Sequence, residues 1–269
     1  IIHNPQLVDS LSARGVSPVD SLQDVADGSK VLIRSHGVGP HVYEEAEAKH
    51  LDVVDATCPH VKKAQQDARK VINDKKALII VGEKDHPEVI SISQWGCNRA
   101  IIIDKVEEAK EIPYCEHMGV VVQTTFSQSR FKQIESVLAE KTDDLDVYMT
   151  ICTATRQRQE AAVELAKKVD AMIVIGGKNS ANTGRLAQVC AEQGCPTYHV
   201  ETASELNVAD FRGMSDIGVT AGASTPDWII QEVVKMLEDF QAEVTEVMSE
   251  ELLDQYDYEE NPKKGDVVT

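Results

Sequence analysis

LDVVDATCPH at 51–60 and DVYMTICTAT at 146–155 open two copies of one pattern. Each is an apolar run ending in a cysteine, Cys58 or Cys152. A helix-like stretch follows each, then a second apolar run, then a polar loop: GEKDHPEV at 82–89 with His86, and GGKNSANTGR at 176–185 with Ser180. The same 28 residues separate Cys58 from His86 (86 − 58) and Cys152 from Ser180 (180 − 152). An internal repeat of this kind sets the architecture before any single element does.

The repeat continues in both directions. GVVVQTT at 119–125 ends in hydroxyls, among them Thr124, and DIGVTAGAST at 216–225 ends in Ser224 and Thr225. The chain's start reads as the back half of a further copy. IIHNPQLV at 1–8 places His3 where His86 stands, and KVLIRSHGVGP at 30–40 ends in Ser35 and His36. Three copies are therefore expected, the first without its front, with a missing cysteine about 28 residues upstream of His3 if the spacing holds. On this reading the chain is a fragment.

Nine Val/Ile-rich runs alternate with amphipathic stretches: 31–35, 51–56, 77–82, 100–104, 119–123, 146–151, 171–176, 196–200 and 217–222. Continuous apolar strands between helices predict parallel sheet covered on both faces. Helices are predicted at 40–49, 60–74, 127–141, 155–168, 181–193 and 226–240. Pro59 and Pro226 mark first turns, and Ser180 or Asn182 caps the helix at 181–193. The fold class is α/β: three similar small domains with parallel sheets, arranged as a pseudo-threefold trefoil around a central site. Their boundaries are 1–57, 58–149 and 150–240. Ligands of such sheets bind beyond the C-terminal strand ends, where all the polar residues named so far recur. Three independent domains without a shared site is the alternative arrangement.

The chain has 269 residues and 42% hydrophobic content, ordinary for a globular protein. No apolar run approaches the length of a membrane span. Six cysteines in a chain of this length do not make a disulfide scaffold, so reduced thiols and a cytoplasmic location are expected. The net charge of −18 argues against nucleic-acid binding by the whole chain. Half of that excess lies in 232–269, where twelve acids face three lysines, a net of −9. After Phe240 the sequence has the composition of an acidic linker, and its end, PKKGDVVT, resembles the opening strand of an OB-type domain.

Soft thiolates without a local CxxC partner suit an iron–sulfur cluster assembled from distant segments; buried, inert cysteine is the alternative at each position. Cys97, Cys115, Cys190 and Cys195 do not repeat. In DHPEV, Pro87 stiffens the backbone between His86 and Glu88, and a buried Glu there can donate a proton. His3, His36, His86, Ser180, Asn182 and Ser224 form a set of donors without lysine or arginine, suited to a phosphate or diphosphate near helix N-termini. No Walker motif or GxGxxG is present.

Eight ordered blocks, HNPQLV, RSHGVGP, DATCPHVKK, DHPEV, VVQTTFS, TICTATRQRQEA, VIGGKNSANTGRL and GVTAGASTPDWII, resemble those of the LytB/IspH family, from Ile1 to about Leu237. The resemblance implies a three-domain trefoil around a 4Fe-4S cluster. It implies reduction of 4-hydroxy-3-methylbut-2-enyl diphosphate to isopentenyl and dimethylallyl diphosphate, the last step of the methylerythritol phosphate route. Electrons would come from reduced ferredoxin or flavodoxin. It implies Cys58 and Cys152 as cluster ligands, with the third cysteine expected upstream of residue 1, so that this chain alone would be inactive. It implies Glu88 as proton donor, Thr124 as the hydroxyl facing the substrate oxygen, and His3, His36, His86, Ser180, Asn182 and Ser224 at the diphosphate. Ala181 stands where many members carry a second serine. KKGDVVT is similar to the start of a ribosomal-protein OB repeat, implying a fusion with RNA or ribosome contact through that part alone; no membrane partner is implied. Two other readings are a trefoil iron–sulfur dehydratase of the quinolinate-synthase kind and a non-catalytic module of a ribosome-associated fusion.

Overall fold

The computed structural model describes residues 5–252. In chain order the elements are α1 (Pro5–Ser12), β1 (Lys30–Ile33), α2 (Pro40–Ala48), β2 (Asp52–Asp55), α3 (Pro59–Asn73), β3 (Ala77–Val81), α4 (Pro87–Trp95), β4 (Ile101–Ile103) and α5 (Val106–Glu111). There follow β5 (His117–Val122), α6 (Gln128–Ala139), β6 (Asp144–Tyr148), α7 (Thr153–Ala166), β7 (Ala171–Ile175), α8 (Ala181–Ala191), β8 (Thr197–Val200), β9 (Ile217–Ala221) and α9 (Asp227–Leu252). The strands form three parallel sheets, in the orders β1-β2, β4-β3-β5-β6 and β8-β7-β9. The α/β class is as expected, and each of the nine apolar runs supplies one strand. The chain divides into two compact units, one holding Val8–Arg156 and the other beginning again at Gln157.

In the first unit, β3 and β5 are the central strands of the larger sheet. Their residues Leu78–Val81 and Met118–Val122 are buried almost throughout, with helices on both faces. One core packs Phe126, Phe131, Ile134 and Leu138 against Ile79, Val120 and Val122. The opposite core packs Ala64, Ala68, Val71, Val89 and Ile92 against Leu78, Ile80 and Val121. α3 lies close to β5 because position 119 is glycine: a Cβ there would sit 2.6 Å from Val71 Cγ1. Lys76 fastens the edge strand β6 by ion pairs of 2.7 Å to both Asp144 and Asp146. The two-stranded sheet departs from expectation. Burial alternates along β1 and β2, and the cross-strand partners Leu32 and Val54 are 48% and 47% exposed, so one face is uncovered.

In the second unit, β7 is wholly buried between β8 and β9. α7 and α8 cover one face through Ala162, Ala166, Leu186 and Cys190, and α9 covers the other through Ile229 and Val233. Gly218 on β9 resembles Gly119 in lacking room for a side chain, facing Met172 of the neighbouring β7 and Leu165 of α7. Cys190 and Cys195 are buried core thiols.

Several boundaries differ from the sequence reading. α1, α4 and α5 were not anticipated. α4 contains the β-branched alternation VISIS, which disguises a nine-residue helix begun by Pro87 at its first position. The helix expected at 226–240 continues to Leu252, into the segment read as linker. Its residues EVTEVMSEEL include enough Glu, Met and Leu to sustain helix despite their acidity. The PKKGDVVT segment lies outside the described residues. Among those described, no helix is long and apolar enough to cross a membrane.

Candidate active site

The two cysteines stand in equivalent backbone settings. The N–H of Cys58 donates to the carbonyl of Ser35 at 3.0 Å, and the N–H of Cys152 to that of Thr124 at 2.9 Å. Each cysteine carbonyl then accepts the helix N–H four residues on, from Lys62 or Arg156. Each therefore ends one strand, is tied to the end of the neighbouring strand, and begins a helix. Beyond Tyr148 the ladder between β5 and β6 is extended by a side chain: the Thr150 hydroxyl donates to the Val122 carbonyl and accepts from the Val122 N–H at 3.0 Å. Cys58 and Cys152 are both outside any disulfide and half-buried.

The second pair of turns also corresponds. His86 caps α4, its Nδ1 accepting from the Glu88 N–H at 3.2 Å, and Ser180 caps α8, its Oγ accepting a long 3.4 Å bond from the Thr183 N–H. Asn182 is the second residue inside α8 rather than a cap, and both its amide atoms are buried without a protein partner among the described residues. Hydrogen bonds fix the third correspondence. Gln123 N–H reaches Val81 O and Gly222 N–H reaches Ile175 O; Phe126 N–H then returns to Gln123 O, and Thr225 N–H to Gly222 O. Gly37 N–H returns to Arg34 O in the same way. His36, Thr125 and Ser224 are thus equivalent positions, while Thr124 matches Ser35 and Ala223.

Glu88 is the chemically distinctive group of the first unit. It is 2% exposed, and both carboxylate oxygens are engaged by Thr124: Oε1 accepts the backbone N–H at 2.7 Å and Oε2 the hydroxyl at 2.8 Å. Burial pushes the Glu88 carboxyl up to about 7, against the lowering effect of the two Thr124 bonds. The pair is held in register by Gln123, whose Oε1 accepts from Glu83 N–H at 2.9 Å and whose Nε2 donates to Thr125 Oγ1 at 3.2 Å. Gly82 lets that amide lie against the turn, since a Cβ there would meet Gln123 Oε1 at 2.8 Å. Two residues before Glu88, His86 meets His36 edge to face, with ring centroids 5.2 Å apart.

The first unit thus gathers His36, His86, Glu88 and Thr124 through direct contacts, with the Cys152 backbone bonded to Thr124 and Cys58 bonded beside His36. Ser180, Asn182 and Ser224 belong to the second unit. There the turns before α8 and α9 meet at the end of β7: Thr225 Oγ1 donates to Ile175 O at 2.9 Å, and a Cβ on Gly176 would meet Thr225 and Thr183. His3 lies outside the described residues. Among those described, no three His, Cys, Asp or Glu side chains gather as a metal-holding group. Gln123, Thr150, Gln65 and Ser91 escaped the sequence reading. For Gln123 the only signal was its place beside Thr124 in VVQTT; the others are visible only through tertiary contacts.

The LytB protein family model matches residues 1–238. The chain belongs to the LytB family. A relative from Pelobacter propionicus, a 4-hydroxy-3-methylbut-2-enyl diphosphate reductase, is 47% identical over 234 residues, covering 87% of this chain and 83% of its own. The reductase of the same name from Geobacter sulfurreducens is 45% identical over 240 residues, covering 89% and 85%. Among solved structures, the E-1-hydroxy-2-methyl-but-2-enyl-4-diphosphate reductase of Plasmodium falciparum superposes with a TM-score of 0.85 at 28% identity, over 88% of this LytB-family chain and 76% of that one.

Proposed function

We propose that this LytB-family chain reduces 4-hydroxy-3-methylbut-2-enyl diphosphate to isopentenyl and dimethylallyl diphosphate in the cytoplasm. Two electrons and two protons are consumed, and the allylic hydroxyl leaves as water. The observation that carries the reading is the buried Glu88–Thr124 pair beside the His36–His86 contact: a proton source next to imidazole donors suited to an anion. A carboxyl poised near neutrality is protonated often enough to act as an acid and ionised easily enough to release the proton. With Glu88 protonated, its O–H can donate to Thr124 Oγ1, which turns the threonine hydrogen outward toward a departing hydroxyl. The imidazoles of His36 and His86 hold the diphosphate and orient the alcohol toward Thr124. The family resemblance assigns His3, Ser180, Asn182 and Ser224 to the same diphosphate. The unpartnered amide of Asn182 is consistent with a polar ligand there.

Thiol chemistry at anchored, half-buried turns fits a soft metal centre, and Cys58 and Cys152 would supply two ligands of a 4Fe-4S cluster. Such a cluster would supply the electrons, received from reduced ferredoxin or flavodoxin. The division into three copies at 1–57, 58–149 and 150–240 is part of this reading, as is their trefoil relation. The matched hydrogen bonds at Cys58 and Cys152, and at His36, Thr125 and Ser224, support the repeat. The test is anaerobic assay of the product of the whole gene, reconstituted with iron and sulfide and supplied with a reduced one-electron carrier. Formation of both five-carbon diphosphates is expected. A reconstituted protein that forms neither would overturn the proposal.

A further inference from the structure

Ser91 lies on α4, one turn beyond Glu88, and is 1% exposed. Its hydroxyl sits 2.9 Å from two backbone carbonyls, that of Glu88 on its own helix and that of His36 in the turn after β1. Its oxygen accepts from Gln65 Nε2 at 3.2 Å, and Gln65, on α3, is itself 3% exposed. The Glu88 carbonyl also lies in the helical ladder, where the N–H four residues on serves it. The cross-chain function of the Ser91 hydroxyl is therefore its bond to His36. One buried oxygen joins three elements: the helix that follows Cys58, the helix that carries Glu88, and the turn that carries His36.

The rest of that turn is fitted to the same two helices. Gly37 has φ +69° and no room for a side chain, because Gln65 Nε2 occupies the space a Cβ would take. Gly39 lies likewise against the Gln94 side chain. Trp95 Nε1 donates to Val38 O at 2.9 Å. What rides on this seating is the edge-to-face contact of His36 with His86, the residue that caps α4.

We propose that Ser91 is a positioning residue. Through the path Gln65–Ser91–His36 carbonyl, it sets the His36 ring against His86 and so shapes the imidazole edge of the anion site. The catalytic consequence rests on the reductase reading; the placement of the rings does not.

The test uses the full-length holoenzyme with Ser91→Ala, Ser91→Cys and Gln65→Met. The imidazole resonances of His36 and His86, assigned by His→Asn substitution, report ring placement without turnover. In Ser91→Ala both resonances move, KM for the diphosphate substrate rises about tenfold, and kcat changes less than about threefold. Ser91→Cys, with a weak donor of similar shape, recovers part of the loss. Should Ser91→Ala fail to fold, Gln65→Met shifts the same resonances by a smaller amount. Resonances unmoved in the folded variants would overturn the proposal, as would an equal fall in kcat and kcat/KM at unchanged KM. A parent enzyme without turnover would sink the reductase reading and leave the resonances to judge Ser91.

Discussion

Thr124 grips Glu88 at both carboxylate oxygens, with its main-chain N–H at 2.7 Å and its hydroxyl at 2.8 Å. The two residues are 36 positions apart, in the first turn of α4 and just past the end of β5. Both residues are buried, so the bond between them is shielded from bulk water.

Glu88→Gln should remove the acid without disturbing its bonds. The amide oxygen accepts the Thr124 N–H, and the amide nitrogen donates to the Thr124 hydroxyl. Turnover is expected to fall about 10²- to 10⁴-fold, the usual range for a general acid, with the circular dichroism spectrum unchanged. In the parent enzyme kcat/KM should decline as pH rises through about 7, because the protonated carboxyl is the active form. That limb should be missing in the variant. A parent profile flat from pH 6 to 8 would exclude Glu88 as the acid.

The same group makes stability depend on pH. The Glu88 carboxyl titrates near 4.5 when unfolded and at about 7 when folded. The folded state therefore binds the extra proton between those values. Its contribution is fully present below pH 4.5 and is lost as pH rises through 7, on the order of 3 kcal/mol in all. Denaturant melts of the parent and of Glu88→Gln should diverge in the variant's favour from pH 5 to pH 8. Parallel curves would contradict the assigned burial cost.

Gly119→Ala and Gly218→Ala probe one device at two strengths. The added methyl at 119 meets the branched Val71, stiff about χ1, whereas at 218 it meets Met172 Sδ and Leu165. Each overpacks a filled core, at about 1–3 kcal/mol. Gly119→Ala should be the costlier in urea titration. The opposite order would mean that α3 yields more easily than Met172.

Thr150→Val removes the hydroxyl that serves both polar groups of Val122. Leaving them buried and unpaired should cost about 1–3 kcal/mol, and Thr150→Ser should restore most of it. Hydrogen exchange at the Cys152 amide should accelerate in the valine variant alone. Equal protection in both would show that the Thr124 carbonyl holds that turn unaided.

The strands were legible because buried parallel strands are nearly unbroken runs of Val and Ile, and the nine runs match the nine strands of the described residues. Cys58, Cys152, His86 and Ser180 were found by spacing, which the matched backbone bonds reproduce. α4 was not legible, since the β-branched Val89, Ile90 and Ile92 do not favour helix locally and packing on α3 decides the matter. Ser91 and Gln65 look like ordinary helix polar residues; their value depends on a carbonyl 55 positions away in the chain from Ser91. The exact partner of Thr124 in the second unit was also hidden. Hydroxyls end both runs, but the hydrogen-bond register pairs Ser224 with Thr125 and leaves Ala223 opposite Thr124.

Cys58 and Cys152 are tied to the neighbouring strand ends and to their own helices through main-chain atoms, and any residue except proline offers the same amide and carbonyl. Their architecture is accordingly indifferent to sulfur. A single codon change to serine or alanine at either turn would abolish whatever the thiol does and leave the scaffold standing, so a descendant of this chain could lose its chemistry while keeping its shape.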